Sequence, residues 1–347
     1  MDNHEHKRRV RYSGTHPKTF SEKYKELQPE KYADDVAKVI ERGSTPAGTH
    51  RSICVSEIMD FLQIKPGQIG LDATLGYGGH TLEMLKRLDS NGHLYAVDVD
   101  SCELPRTRER LSKMGYGDEI LTISQMNFSK TDEIAARVGK FNFVLADLGV
   151  SSMQIDNPER GFSFKTKGPL DLRLDPQKGI SAAQRLSNIT QDELCGMLIE
   201  NADEPYAAQI ACAITAEIRK GRAPETTTQL EMIIENTLKF VPQKERKDEV
   251  KKSCQRCFQA LRIDVNNEFE VLYEFLEKLP NMLAPAGRVA ILSFHSGEDR
   301  LVKKAFKRAL QDGIYREISG EPIRPTSSER HANPRARSAK LRWAIRA

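Results

Sequence analysis

Three aspartates and one glycine-rich turn carry the first chemical signal in this 347-residue chain. The turn reads Asp72-Ala73-Thr74-Leu75-Gly76-Tyr77-Gly78-Gly79-His80 and stands between a strand-like and a helix-like stretch. Glycines there let backbone approach a ligand closely and tolerate positive φ. The helix that follows offers unpaired N–H groups. Asp98 ends the next strand-like stretch, 26 residues after Asp72, where a carboxylate can accept hydrogen bonds from both hydroxyls of a ribose. Asp147 ends a later one, Phe141 to Asp147. Two cofactors suit a ribose-binding carboxylate. A dinucleotide fold wants G-x-G-x-x-G to hold its pyrophosphate, whereas the glycines here read G-x-G-G. Asp72 would repel a pyrophosphate but suits the amino group of S-adenosylmethionine (AdoMet). An ordinary glycine-rich turn and a nicotinamide oxidoreductase are the competing readings.

Other residues could contact a ligand. Phe128, with Asn127 before it, follows the third strand-like stretch, where an adenine would be covered. Phe162 and Phe164, in Glu159-Arg160-Gly161-Phe162-Ser163-Phe164, could hold an unstacked base or anchor their loop to the core. Asp171, Arg173 and Asp175 could line a site entrance or form a structural ion-pair set. His295, in Ser293-Phe294-His295-Ser296, is a substrate candidate or a packed histidine. Cys254-x-x-Cys257 invites a zinc reading, but structural zinc takes four ligands, usually two such pairs. The other cysteines are scattered and no histidines pair at i, i+4, so no metal is expected. Three basic clusters favour a polyanionic partner: Lys7 to Arg11; Lys244, Arg246, Lys247, Lys251 and Lys252; and Arg335, Arg337, Lys340 and Arg342.

The elements that must position these groups alternate. From residue 50 to 150, strands Gln68–Thr74, His93–Asp100, Glu119–Ser124 and Phe141–Asp147 are separated by helix-like stretches, the pattern of a parallel sheet covered on both faces. Residues 151–280 break the rhythm with a Gly/Pro-punctuated stretch and helices expected near 190–200, 204–220, 226–239 and 255–279. Alternation resumes at Gly287, and the chain closes on a strand, Ala339–Arg346. The reading is therefore an α/β domain (50–150 and 281–347) interrupted by a mainly helical insertion (151–280). Residues 1–49 form a basic lead-in with one helix over 29–43. Hydrophobic residues at 39% and charged residues at 29% exclude a disordered or collagenous chain. No stretch approaches the roughly 18 apolar residues of a membrane span. With six cysteines and no apolar leader, a reduced, cytoplasmic protein is expected.

Seven runs together resemble the ribosomal RNA small subunit methyltransferase H (RsmH or MraW) family, over roughly residues 50–345. They are DATLGYGGH at 72–80, DLGVSSMQ at 147–154, ERGFSF at 159–164, GPLDLRLDP at 168–176, FQALRIDVNNE at 258–268, SFHSGEDR at 293–300 and NPRARSAKLR at 333–342. The resemblance implies a class I AdoMet-dependent methyltransferase, a Rossmann-like doubly wound sheet with an inserted helical domain for substrate recognition. It implies N4-methylation of a cytidine in 16S rRNA near the decoding centre, on free rRNA or the small ribosomal subunit, and admits a homodimer. Its AdoMet-binding positions fall on Gly78, Gly79, His80, Asp98, Phe128, Asp147 and Gln154. Asp147, or a neighbouring backbone carbonyl, is also the candidate acceptor that would orient the target amine; Asp147 is the one catalytic assignment, with a purely cofactor-binding role as the alternative. The family usually lacks the lead-in, its usual T-R-T-F is here Gln255-Arg256-Cys257-Phe258, and a Leu is common where this chain has Gly297; these departures suggest a divergent second copy. A non-catalytic RNA- or subunit-binding homologue, or a methyltransferase acting on another RNA site, is the alternative.

Overall fold

The computed structural model describes residues 52–347. The Lys7–Arg11 cluster and the helix expected over 29–43 lie outside the described residues.

Seven strands form one sheet: β1 (Gln68–Asp72), β2 (Gly92–Asp98), β3 (Leu121–Gln125), β4 (Phe141–Asp147), β5 (Leu283–Ser293), β6 (Tyr315–Ile318) and β7 (Lys340–Arg346). Their order is β3-β2-β1-β4-β5-β7-β6. Neighbours from β3 to β5 run parallel, and β7 is antiparallel to both β5 and β6. This is a doubly wound sheet, as the resemblance implied. The order reverses between β1 and β4, and ligands of such sheets gather outside the carboxyl ends at that point. Asp72, Asp98 and Asp147 are the last residues of β1, β2 and β4.

Both faces are covered, as a parallel sheet requires. Strand periodicity sends Phe143 and Leu145 to one face, where they join Ile58, Met84, Leu85 and Leu292. Val144 and Ala146 go to the other, with Phe275, Leu279, Val302 and Phe306. The first face is packed by α1 (Val55–Leu62) and α2 (Gly79–Leu88). Gly70 explains a close approach within the sheet: a Cβ there would stand 2.0 Å from the Phe143 ring. Next along the chain come α3 (Leu104–Lys113), α4 (Asp132–Val138) and α5 (Ser152–Asp156).

Between β4 and β5 every regular element is helical: α5, then α6 (Ala182–Ser187), α7 (Gln191–Ala202), α8 (Ala207–Arg219), α9 (Thr227–Thr237), α10 (Gln243–Asn266) and α11 (Glu268–Met282), plus two short 3-10 turns. A separate core of Leu186, Leu194, Ile210, Ile214, Leu230, Ile234 and Leu261 holds α6 to α10 together. The single helix expected over 255–279 is two. Asn267 takes a left-handed conformation (φ 49°) and ends α10, which suits asparagine better than most residues. Beyond the break, α11 packs Leu272, Phe275 and Leu279 against the sheet rather than against the other helices. α12 (Ser296–Gln311) and α13 (Ser327–Ala332) complete the chain with β6 and β7. The sequence reading missed β6, whose four residues are too few to show a period.

Candidate active site

The turn from Ala73 to His80 is tied to both neighbouring strand ends. Gly76 takes φ 48° and donates its N–H to Asp98 Oδ2 at 2.7 Å. Thr107 of α3 donates to the Gly76 carbonyl at 2.8 Å. On the other side Asp147 donates its backbone N–H to Thr74 Oγ1 at 2.6 Å. Gly78 precedes α2 at φ 75°, a conformation that favours glycine, and a Cβ there would sit tightly, 3.1 Å from Thr107. One short loop thus holds Gly78, Gly79, His80, Asp98 and Asp147 along the carboxyl edge at the switch point.

The three aspartates differ sharply in what they face. Asp72 is 1% exposed and both its oxygens are engaged: Thr81 Oγ1 donates to one at 2.6 Å and Thr74 N–H to the other at 3.1 Å. Burial pushes its carboxyl up to about 6 against those hydrogen bonds. The sequence reading gave this carboxylate to a cofactor amino group; in the fold it staples the turn, because α2 brings Thr81 back over it. Asp98 accepts from Gly76 N–H and, at 2.9 Å, from Asp100 N–H. Burial raises its carboxyl, opposed by these two donors and by the Val99 N–H.

Asp147 differs again. Its Oδ2 lies 3.4 Å from His80 Nδ1, while Oδ1 is buried without a hydrogen-bond partner. His80 is 6% exposed, and its Nε2 is 3.0 Å from the Ile53 carbonyl. A carbonyl only accepts, so Nε2 carries a proton. Nδ1 then faces a carboxylate oxygen at 3.4 Å, a setting that favours a second proton on the ring. Burial alone would lower its pKa, but the hydrogen bond and charge of Asp147 outweigh it and the net direction is upward.

The remaining sequence-derived candidates spread around this edge. Phe128 opens the 3-10 turn after β3 and packs edge-on against Phe275, ring centroids 5.2 Å apart. Gln154 is buried; its Nε2 donates to Asp100 Oδ2 at 2.6 Å, and its Oε1 accepts the Ser151 N–H in a capping box. Phe162 lies beside the Arg160 guanidinium and Phe164 packs edge-on against Phe258 in the helical core. Asp171 and Arg173 pair with each other through two hydrogen bonds of 2.8 and 2.7 Å. Asp175 accepts from Ser101. His295 lies just past β5, with Nε2 3.2 Å from Glu298 Oε1.

Sequence reasoning overlooked Asp100. It is 1% exposed and binds Arg160 Nη1 at 2.8 Å. Arg160 in turn donates through Nη2 to the carbonyls of Arg173 and Leu174. This buried pair ties the end of β2 to the loop that leads into the helices. The available signal was weak: Arg160 stands in its motif beside Glu159, and nothing local points to Asp100, sixty residues earlier, as its partner.

Two basic clusters change meaning in the fold. Arg335 pairs with Asp156, while Lys340 and Arg342 both hold Asp299, with Arg342 4% exposed. That C-terminal group therefore spends most of its charge inside the protein. Lys244, Lys247 and Lys251 on α10 are exposed. Cys254 and Cys257 are fully buried one turn apart on α10, and burial pushes the Cys254 thiol up to about 12, as befits packing residues.

Comparison with known proteins follows the same direction. Residues 47–347 match the MraW methylase family. The chain is 74% identical over 349 aligned residues to ribosomal RNA small subunit methyltransferase H 2 of Alkaliphilus metalliredigens (strain QYMF), covering 100% of both. It is 67% identical to ribosomal RNA small subunit methyltransferase H 1 of Lachnoclostridium phytofermentans, covering 99% of this chain and 93% of the relative. An unnumbered relative, ribosomal RNA small subunit methyltransferase H of Thioalkalivibrio sulfidiphilus, is 39% identical over 87% of this chain and 98% of its own length. The two numbered relatives, one a copy 2 and the other a copy 1, span nearly the whole chain. The match across residues 47–347 and these identities establish that the chain belongs to the MraW methylase family.

Proposed function

We propose that this protein uses AdoMet to methylate N4 of a cytidine in 16S rRNA near the decoding centre, acting in the cytoplasm on free rRNA or the small subunit. The observation that carries the cofactor is Asp147 Oδ1. A buried carboxylate oxygen without a donor is costly, and it lies beside His80 on the loop that Asp98 clamps. A cationic amino group is the partner that oxygen calls for. Asp98 would take the ribose hydroxyls, Phe128 would flank the adenine, and the Gly78-Gly79 backbone would admit the ligand closely. Gln154 would act at one remove, by fixing Asp100 behind Asp98.

When bound, AdoMet supplies an electrophilic methyl group on a sulfonium. The amine of cytosine is a poor nucleophile because its lone pair is delocalised into the ring. The chain's task is then alignment, which can contribute on the order of 7–11 kcal/mol. Asp147 would accept from the amine N–H and so orient its lone pair. His80 holds Asp147 and tempers its charge. The target base has to leave its stack to reach this edge, and we assign its recognition to the helices between β4 and β5, where the exposed lysines of α10 would face phosphates. No helix among the described residues is long and apolar enough to cross a membrane.

Two measurements test the proposal. Mass mapping of small-subunit rRNA from cells with and without the gene should show one cytidine lacking a methyl group in its absence; identical maps would reject the reaction. Calorimetry should show AdoMet binding weakened at least about tenfold by Asp98→Ala, since one charge-assisted hydrogen bond contributes about 1.5–3 kcal/mol. Unchanged affinity would reject the ribose assignment.

A further inference from the structure

Away from the turn, three ligating side chains meet where α11 and α12 begin. Glu268 is the first residue of α11, His295 is the N-cap of α12, and Glu298 lies in its first turn. One ligating atom from each lies within 4.8 Å of the others. Two acids alone would say little, but His295 adds an independent sign. Its side chain is 10% exposed, yet neither ring nitrogen makes a hydrogen bond. An imidazole that buried ordinarily satisfies its nitrogens. Nε2 is 3.2 Å from Glu298 Oε1 without the alignment a hydrogen bond needs. That spacing has a meaning for metals. Two ligands about 2.1 Å from one ion stand about 3.0 Å apart in octahedral and about 3.4 Å apart in tetrahedral geometry.

The surroundings fix the carboxylates from behind. Glu298 Oε2 accepts the Phe294 N–H at 2.9 Å, which leaves Oε1 toward the histidine. Arg262 grips Glu268 with Nε at 2.7 Å and Nη2 at 2.8 Å. Metal-binding carboxylates are commonly held this way by a second layer of donors. With a neutral imidazole, the two carboxylates and one guanidinium leave a net charge of minus one, so a divalent cation is electrostatically welcome. The Phe269 ring closes one side, its centroid 5.7 Å from that of His295. Sequence reasoning looked for cysteine pairs and i, i+4 histidines, and could not see ligands joined across the α11–β5 span.

We propose that Glu268, His295 and Glu298 form a site for a divalent first-row metal ion of the zinc class, clipping the start of α11 to the start of α12. One imidazole with two carboxylates suits such an ion better than a thiolate-seeking one. None of its three ligands belongs to the proposed cofactor residues, and binding rather than activity reads it out. The test uses full-length protein stripped with a chelator. Zinc is titrated by calorimetry, and cobalt is followed by visible absorption. We expect one equivalent per chain, with d–d bands and without the near-ultraviolet charge-transfer band of a thiolate. His295→Ala and Glu298→Gln should each weaken uptake at least tenfold. Arg262→Lys keeps all three ligands but loosens Glu268, and should weaken uptake about 10–100-fold. Absence of stoichiometric uptake in the parent protein, a thiolate spectrum, or unchanged affinity in His295→Ala would overturn the proposal. Should His295→Ala not fold, Arg262→Lys decides, with unchanged affinity again overturning it.

Discussion

Arg160 and Asp100 form a buried ion pair, at 7% and 1% exposure, and the cost of breaking it can be worked from its surroundings. Arg160→Met fills similar space but removes the guanidinium. Asp100 then keeps the Gln154 amide at 2.6 Å and two backbone N–H groups, of Cys102 and Glu103, but loses its countercharge. The carbonyls of Arg173 and Leu174 lose a donor as well. Removing one partner of a buried pair costs about 3–5 kcal/mol, chiefly because the other charge is stranded. At roughly 2 °C per kcal/mol for a chain of this size, the melting temperature should fall by roughly 6–10 °C. Arg160→Lys should fall between, because one ammonium cannot replace a fork that spans a carboxylate and two carbonyls. Urea unfolding followed by circular dichroism measures the cost. The decisive comparison is a double-mutant cycle with Asp100→Asn. Neutralising the stranded partner should make the pair of substitutions cost at least about 1 kcal/mol less than the two separately. Additive costs, or a loss below about 1 kcal/mol in Arg160→Met, would refute the account.

Gly70→Ala should destabilise by about 1–3 kcal/mol or more, as overpacking does, and Phe143→Leu in the same chain should recover much of it; lack of recovery in urea unfolding would show that the ring is not the obstacle. His80 has a raised folded-state pKa, so its contribution is complete below the unfolded value of about 6.5 and is lost as pH rises through the folded one. The stability gap between the parent and His80→Gln should therefore shrink with rising pH above that point, and an NMR titration placing the ring below 6.5 would contradict the upward shift. Thiol reagents should label exposed Cys102 and Cys212 in the native protein and spare Cys254 and Cys257, which react only after unfolding; rapid native labelling of the latter two would contradict the packed core.

Alternation made the sheet legible. Strands β1 to β5 and β7 each announce themselves by apolar runs between turn residues, and the parallel order of β1 to β5 follows from the helices between them. What stayed hidden was set by tertiary contacts. The continuous apolar pattern from 255 to 279 carries no proline or glycine at the break, so nothing local marks Asn267 as the hinge that turns α11 onto the sheet. β6 is too short for periodicity and exists because β7 offers it an edge. The C-terminal arginines and lysine read as a solvated cationic face because their partners, Asp156 and Asp299, are remote in sequence.

The site shows the same division at finer scale. Asp72, Asp98 and Asp147 are equivalent as text: each ends a parallel strand, and each qualifies as a ligand for a nucleoside. Their environments separate them. Asp72 is sealed by Thr81, nine residues on, which only the first turn of α2 brings into contact. Asp98 accepts backbone N–H groups on both oxygens, Gly76 on one and Asp100 on the other. Asp147 alone is left with a buried oxygen that no protein donor reaches, next to a histidine whose other nitrogen is already committed. Strand ends therefore tell where a carboxylate will stand, whereas its role depends on how many donors the fold has already supplied. By that measure His295 and Asp147 stand together as buried polar groups at neighbouring strand ends that the chain leaves unsatisfied, and such atoms are where a ligand adds most to the stability of the native state.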